Sequence, residues 1–309
     1  MNDHIIETCL KKIYSRRFIS HTSSATSALI ALLQTLKEKN KNKNEVIIPS
    51  IVCPSILFAV NFLSLKPIFV DMETKYFNMN VSHVKKLINK KTLTIICVHC
   101  YGIASEIIKI SDIAKKNKIF LIEDICLNFG GKLNEKFYGS FGDASIVSFG
   151  YDKIVSEKGG AVIIKKKIIY LEIKKILKSN PILVKVDVNK KQFIQKINSI
   201  DKNIANRSSN AKFLYENIKS KSFIKPKFRK SDVYWRYPIL CKINRKKLIS
   251  DAIKKGIIIT SHYPNLSKFQ HNTDLKNASK FDKSVINIFV KNENSKNYLK
   301  KVCNFLNTK

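Results

Sequence analysis

The chain has 309 residues, 44% of them apolar, and a formal net charge of +34. Such a length can bury a large core and implies one large and one small domain, expected at 1–191 and 192–309. Only six of the 57 basic residues are Arg, so bidentate nucleic-acid readout has few carriers, and a solvated cationic surface is the expected reading of the charge. The seven Cys are scattered. Cys97 and Cys100 form a Cys-x-x-Cys inside an apolar run, and no second pair completes a zinc site, so no metal centre is expected. Reduced, mostly buried thiols in a cytoplasmic protein fit this usage.

In chain order, 1–17 reads as a basic amphipathic helix, without the pattern of a secretory signal. Ser20 to Thr26 reads as a polar turn, Ser27 to Leu36 as a helix and Lys37 to Asn44 as a charged loop. Val46 to Leu65 carries no charge over about a bilayer's thickness. Pro49, Pro54 and three polar residues break it into a strand at Val46 to Ile48 and a helix from Pro54, so no membrane span is expected. Strands follow at Pro67 to Asp71, Thr94 to Val98, Ile119 to Ile122 and Ala144 to Phe149, with helices at His83 to Asn89 and Ile107 to Lys116. This alternation predicts a mainly parallel sheet with helices on both faces, whose ligands lie beyond the strand carboxyl ends. Asp71, His99 and Asp124 all fall at such ends.

Ala161 to Ile164 is a further strand, and Lys165 to Lys191 a helix with a loose connection. Gln192 to Ile218 reads as one long helix leading to a small α+β domain. There, strands are expected at Tyr234 to Ile239 and Ile257 to Thr260, and helices at Arg245 to Lys255 and Ser295 to Leu306, the last with Ser295 as N-cap.

Ser148 to Gly160 stands apart, because Lys153 follows a buried strand and precedes a Gly pair. An ammonium is costly to desolvate, so a lysine there implies either a covalent role or an ordinary solvated loop. Ser148-Phe149-x-x-x-Lys153, the strand ending in Glu123-Asp124, the segment Ser24-Ala25-Thr26 and Val98-His99-x-Tyr101-Gly102 together resemble the DegT/DnrJ/StrS-type sugar aminotransferases. The resemblance runs with gaps from about Ser20 to about Leu306, and includes Cys53-Pro54, the 200–214 stretch with Arg207, and His262-Tyr263-Pro264.

The resemblance implies a fold-type I enzyme dependent on pyridoxal 5'-phosphate (PLP), with a mostly parallel large domain and a small α+β domain. It implies that Lys153 holds PLP and moves a proton, where some relatives carry His and dehydrate sugars instead. Asp124 matches the carboxylate beneath the pyridine nitrogen. Ala25, Thr26 and Ser148 match the phosphate cradle, at a helix start suited to a dianion, although plain N-capping explains Ser24 to Thr26 equally well. Cys53 stands where many relatives stack an aromatic on the ring. The implied partners are a keto-sugar, an amino-acid donor such as glutamate and a second copy in a homodimer. Leu127 replaces a hydrogen-bonding residue, and the family's cross-dimer Gly-x-Asn-x-Arg segment is not recognisable before Gln192. Those departures leave open a degenerate paralogue or another PLP reaction, and the charge leaves open a surface binder.

Overall fold

The computed structural model describes residues 4–15, 17–270, 275–291 and 295–309. After helix α1 (Ile5–Ile13) comes β1 (Phe18–Thr22), then α2 (Ala25–Lys39), β2 (Glu45–Pro49), α3 (Pro54–Phe62), β3 (Lys66–Val70), α4 (Val81–Leu87), β4 (Thr92–Val98), α5 (Ile107–Lys116) and β5 (Phe120–Asp124). A hairpin, β6 (Lys132–Leu133) and β7 (Lys136–Phe137), leads to β8 (Ala144–Ser148), β9 (Gly160–Ile164) and α6 (Lys167–Ser179). The remainder comprises α7 (Lys190–Asn198), α8 (Ile200–Asn217), β10 (Phe223–Ile224), β11 (Arg236–Cys241), α9 (Arg245–Lys254), β12 (Ile259–Thr260), α10 (Lys276–Ser284), β13 (Val285–Phe289) and α11 (Lys296–Asn307).

Seven strands form one sheet in the order β1-β9-β8-β5-β4-β2-β3, parallel except for β9. Every residue of β2, β4 and β9 is buried, as strands covered on both faces require. Strand order reverses beside β2, which opens a crevice at the carboxyl edge. Four antiparallel strands, β10-β11-β13-β12, form the smaller sheet. A second apolar cluster, including Leu214, Tyr237, Leu248 and Leu299, lies between it and helices α8, α9 and α11.

The α/β architecture is the one expected, with four local differences. Ser20 to Thr26 is not a turn throughout: Phe18–Thr22 is the edge strand against β9, and the Thr22 hydroxyl donates to the Ser24 carbonyl. Helix α2 begins at Ala25 and runs through the lysines to Lys39, since Lys and Glu are good helix formers. The long helix predicted from Gln192 is two, broken at Ser199, whose N–H already closes α7 on Gln195 and Ile197. The first helix covers Ile5–Ile13, while Met1 to Asp3 and Arg16 lie outside the described residues. Ser295 caps α11 as expected, accepting from the Tyr298 N–H at 3.2 Å. Among the described residues no helix is long and apolar enough to cross a membrane.

The two sheets meet at Gly102, just past β4. Its carbonyl accepts the N–H groups of Val233 (2.9 Å) and Tyr234 (3.2 Å). Its φ is +79°, and a Cβ there would stand 2.4 Å from the Trp235 amide nitrogen. Both the conformation and the approach therefore demand glycine. Gly102→Ala is expected to destabilise the chain by at least about 2 kcal/mol in urea unfolding, whereas Gly150→Ala, whose Cβ would meet only the Ser148 hydroxyl at 3.5 Å, changes it by less than about 0.5 kcal/mol.

Candidate active site

Four strand ends and one helix start enclose a cavity of about 220 Å³ at the carboxyl edge of the large sheet. Val52 and Cys53 follow β2, Cys100 follows β4, Asp124 ends β5 and Ser148 ends β8. The first residues of α2 close another side. All six residues singled out from the sequence, Ala25, Thr26, Cys53, Asp124, Ser148 and Lys153, line this cavity. A larger groove of about 960 Å³ lies along α6 and contains none of them.

The helix start follows from its cap. The Ser24 hydroxyl accepts the Ser27 N–H at 3.1 Å, which leaves the amides of Ala25 and Thr26 without helical acceptors, as at any helix beginning. Strand β9 packs directly beneath. A Cβ on Gly160 would lie 2.6 Å from the Ala25 nitrogen and 2.7 Å from the Val147 carbonyl oxygen, so glycine sets how closely the helix start approaches the sheet.

Glu123 and Asp124 are successive strand residues and point to opposite faces. Glu123 is wholly buried and accepts from the Phe141 and Gly142 amides at 3.0 and 3.2 Å. Its other oxygen lies 3.2 Å from His99 Nε2. The Ser105 amide donates to His99 Nδ1 at 3.0 Å, so Nε2 must carry the hydrogen given to Glu123. His99 thus lies behind the cavity wall rather than in it. Asp71 is displaced from the site as well: its carboxylate accepts the Asn277 and Ala278 amides at the start of α10.

Asp124 faces the cavity. Its Oδ1 accepts the Cys126 N–H at 2.8 Å. Burial holds its carboxyl above the usual carboxylate range, against the opposing pull of the Cys126 hydrogen bonds and the Lys153 charge. Burial also raises two of the cavity thiols, Cys100 to about 12 and Cys126 well above its ordinary value. These thiols stay protonated and act as soft apolar wall rather than as nucleophiles.

Two aromatic residues of the smaller sheet's side complete the site and were not among the sequence candidates. Tyr263 lines the cavity and stacks on Trp235 at 6.2 Å between ring centroids. Lys153 Nζ lies 5.7 Å from the centre of the Trp235 ring. Tyr101 holds Tyr263 in place, accepting its N–H at 2.9 Å and donating to the His262 carbonyl. The His262-Tyr263-Pro264 match was the available signal, whereas nothing local marks Trp235. Leu127 also lines the cavity, and the neighbouring Asn128 is buried with no hydrogen-bond partner for its Oδ1 among the described residues.

A parallel sheet carrying a lysine and a carboxylate at its carboxyl edge, with a small antiparallel sheet folded against it, is the architecture of fold-type I PLP-dependent transferases. The chain belongs to the DegT/DnrJ/EryC1/StrS aminotransferase family, whose sequence pattern it matches over residues 5–307. It is similar to GDP-perosamine synthase of Escherichia coli O157:H7, 32% identical over 161 residues that make up 52% of this chain and 44% of that protein. It is also similar to GDP-4-keto-6-deoxy-D-mannose 3-dehydratase of Yersinia pseudotuberculosis, 32% identical over 154 residues, 49% of this chain and 39% of the relative. Each match therefore spans less than half of the relative's length. Among solved structures, PseC of Helicobacter pylori, an aminotransferase involved in the biosynthesis of pseudoaminic acid, aligns over 98% of this chain and 89% of its own with a TM-score of 0.88 at 20% identity. At that identity the likeness speaks for the fold.

The raised carboxyl of Asp124 gives a stability prediction for the cofactor-free chain. A folded-state value above the unfolded one means that ionisation opposes folding, so the contribution is favourable at low pH and is lost as pH rises through the folded value. Asp124→Asn keeps an acceptor for the Cys126 amide and removes the charge. Thermal unfolding should show this variant more stable than the parent at pH 7, with the gap closing towards about pH 4. A less stable variant at pH 7 would contradict the assignment.

Proposed function

We propose that the chain binds PLP and transfers an amino group from an amino acid, glutamate being the expected donor, to a keto-sugar carried on a nucleotide, for surface polysaccharide or a glycosylated metabolite. The observation that carries this reading is that Lys153 and Asp124 line one cavity whose walls include a helix start and an aromatic residue, Tyr263. An amine, a carboxylate, anion-binding amides and a flat wall are the donor set that PLP needs. When bound, the cofactor supplies an electron sink that stabilises negative charge at the carbon bearing the transferred nitrogen.

The roles of the chain's own residues follow from their chemistry. Lys153 Nζ would hold the cofactor covalently and, once displaced by a donor amine, take and return a proton at the substrate carbon. Asp124 would keep a proton on the pyridine nitrogen, and the resulting cation would reverse the burial penalty that raises its carboxyl in the free chain. The amides of Ala25 and Thr26, the Thr26 hydroxyl and Ser148 would take the phosphate. Cys53 and Tyr263 would flank the ring, and the buried walls exclude water. Lysine rather than histidine at position 153 favours transamination over dehydration.

The same reading takes the chain as a homodimer acting in the cytoplasm, with domains at 1–191 and 192–309. One observation favours a second reading, in which the chain binds PLP weakly and serves as a partner protein: Leu127 gives the cavity an apolar face where relatives place a hydrogen-bonding group.

One experiment separates the two. The purified chain mixed with PLP should develop a visible absorbance band, and borohydride should fix the cofactor mass on the peptide containing Lys153. Lys153→Ala should abolish both. With glutamate and nucleotide-linked keto-sugars, that variant should lose at least about 10²–10⁴-fold of the amino-sugar product rate. No band at millimolar PLP would overturn the enzyme reading.

A further inference from the structure

Lys153 sits on a loop closed at its base, where the Phe149 N–H donates to the Gly159 carbonyl (2.9 Å) and the Glu157 N–H to the Phe149 carbonyl (2.6 Å). Phe149 itself is fixed edge-on between Phe129 and Phe193. The residues on either side of Lys153 are tied to the other half of the molecule. Asp152 adopts φ +63°, a region that side-chain-bearing residues seldom occupy. Its carboxylate is held by Arg236 on one oxygen and forms an ion pair with Lys291 on the other. Its carbonyl accepts the Trp235 indole N–H at 2.5 Å. On the far side, the Ile154 carbonyl accepts the Asn203 amide at 3.1 Å. Asn203 in turn accepts from Arg207 Nε at 2.7 Å, and Arg207 Nη1 donates to the Trp235 carbonyl at 3.1 Å. Both flanks of Lys153 thus converge on Trp235, whose ring lies near the lysine amine.

Arg236 is an unusual choice if stability alone is at stake. It is 4% exposed and stacked on Phe289, with its ring-plane contact to Trp235 at 4.6 Å. Its Nε and Nη1 are buried with no hydrogen-bond acceptor among the described residues. A buried ion pair with orphaned N–H groups contributes little net stability, and an apolar residue would fill the space at least as well. What the pair does supply is a fixed direction for one strained loop residue.

We propose that Asp152 is a positioning residue for Lys153: through Arg236 and Lys291 it clamps the loop so that the lysine amine is held over the cavity. This rests on the reading of Lys153 as the cofactor-holding residue. Asp152 would touch neither cofactor nor substrate and would act only through its neighbour.

Two readouts test the clamp. In the cofactor-free chain, hydrogen-exchange mass spectrometry of Asp152→Asn and of Arg236→Met should show exchange of residues 150–157 accelerated on the order of tenfold, with β4 and β5 unchanged. At limiting PLP, borohydride capture on the Lys153 peptide should fall at least about threefold in each, and the double variant should be no worse than the poorer single one. Wild-type exchange and capture in Asp152→Asn, or losses that add in the double variant, would overturn the proposal. Should Asp152→Asn not fold, Lys291→Met removes one arm from the solvent side and should loosen the same loop by a smaller factor, and an unchanged loop would be equally decisive against the clamp. If the parent chain captures no PLP, the functional reading fails, while the exchange comparison still judges the clamp.

Discussion

Two successive carboxylates buried at the end of β5 set the terms for the rest of the molecule. Alternation along the strand sends Glu123 and Asp124 to opposite faces, and each negative charge must be met where it lies. Glu123 is met completely, by two loop amides and by a histidine whose tautomer is fixed from behind. This couples β4, β5 and the loop before β8 into one rigid wall. Asp124 is met by one amide and by the charge of Lys153, and burial still dominates its ionisation. A carboxylate left wanting a cation inside a cavity is the opposite of a structural ion pair. It marks where the fold spends stability to keep a site available.

The large sheet was legible because its strands are buried on both faces and read as unbroken apolar runs, with the turns marked by Pro, Gly and acidic residues. The weak points were strands whose pairing is carried by backbone rather than by side-chain pattern. Phe18–Thr22 mixes His, Ser and Thr, and becomes a strand because β9 offers it an antiparallel edge. The hairpin around Asn134 and Glu135 places both at positive φ without the glycine that usually announces such a turn. Val285–Phe289 lies inside the smaller sheet, paired with β11 on one side and β12 on the other. The break at Ser199 depends on a single capping amide, which the apolar periodicity on either side conceals.

At the site, motif spacing brought together the residues that come from strand ends and from the α2 start, because a parallel sheet aligns all carboxyl ends on one edge. It placed Asp71 and His99 there too, yet the same edge has two faces and a rim. Asp71 turns out to anchor α10, and His99 serves Glu123. Trp235 and Tyr263 lie far along the chain from Lys153, and their approach is governed by Gly102 and Tyr101 at the seam between the sheets. Long-range convergence of this kind leaves no local pattern to read.

The edge strand β1 carries a consequence for how the molecule is made. Residues 22 and 160 are partners across the sheet, and the α2 start hangs directly from that pairing. During synthesis β1 emerges before β9 and must wait, its hydrogen-bonding edge uncovered, until β9 has been made. The start of α2 is therefore fixed against the sheet only once β9 has joined β1.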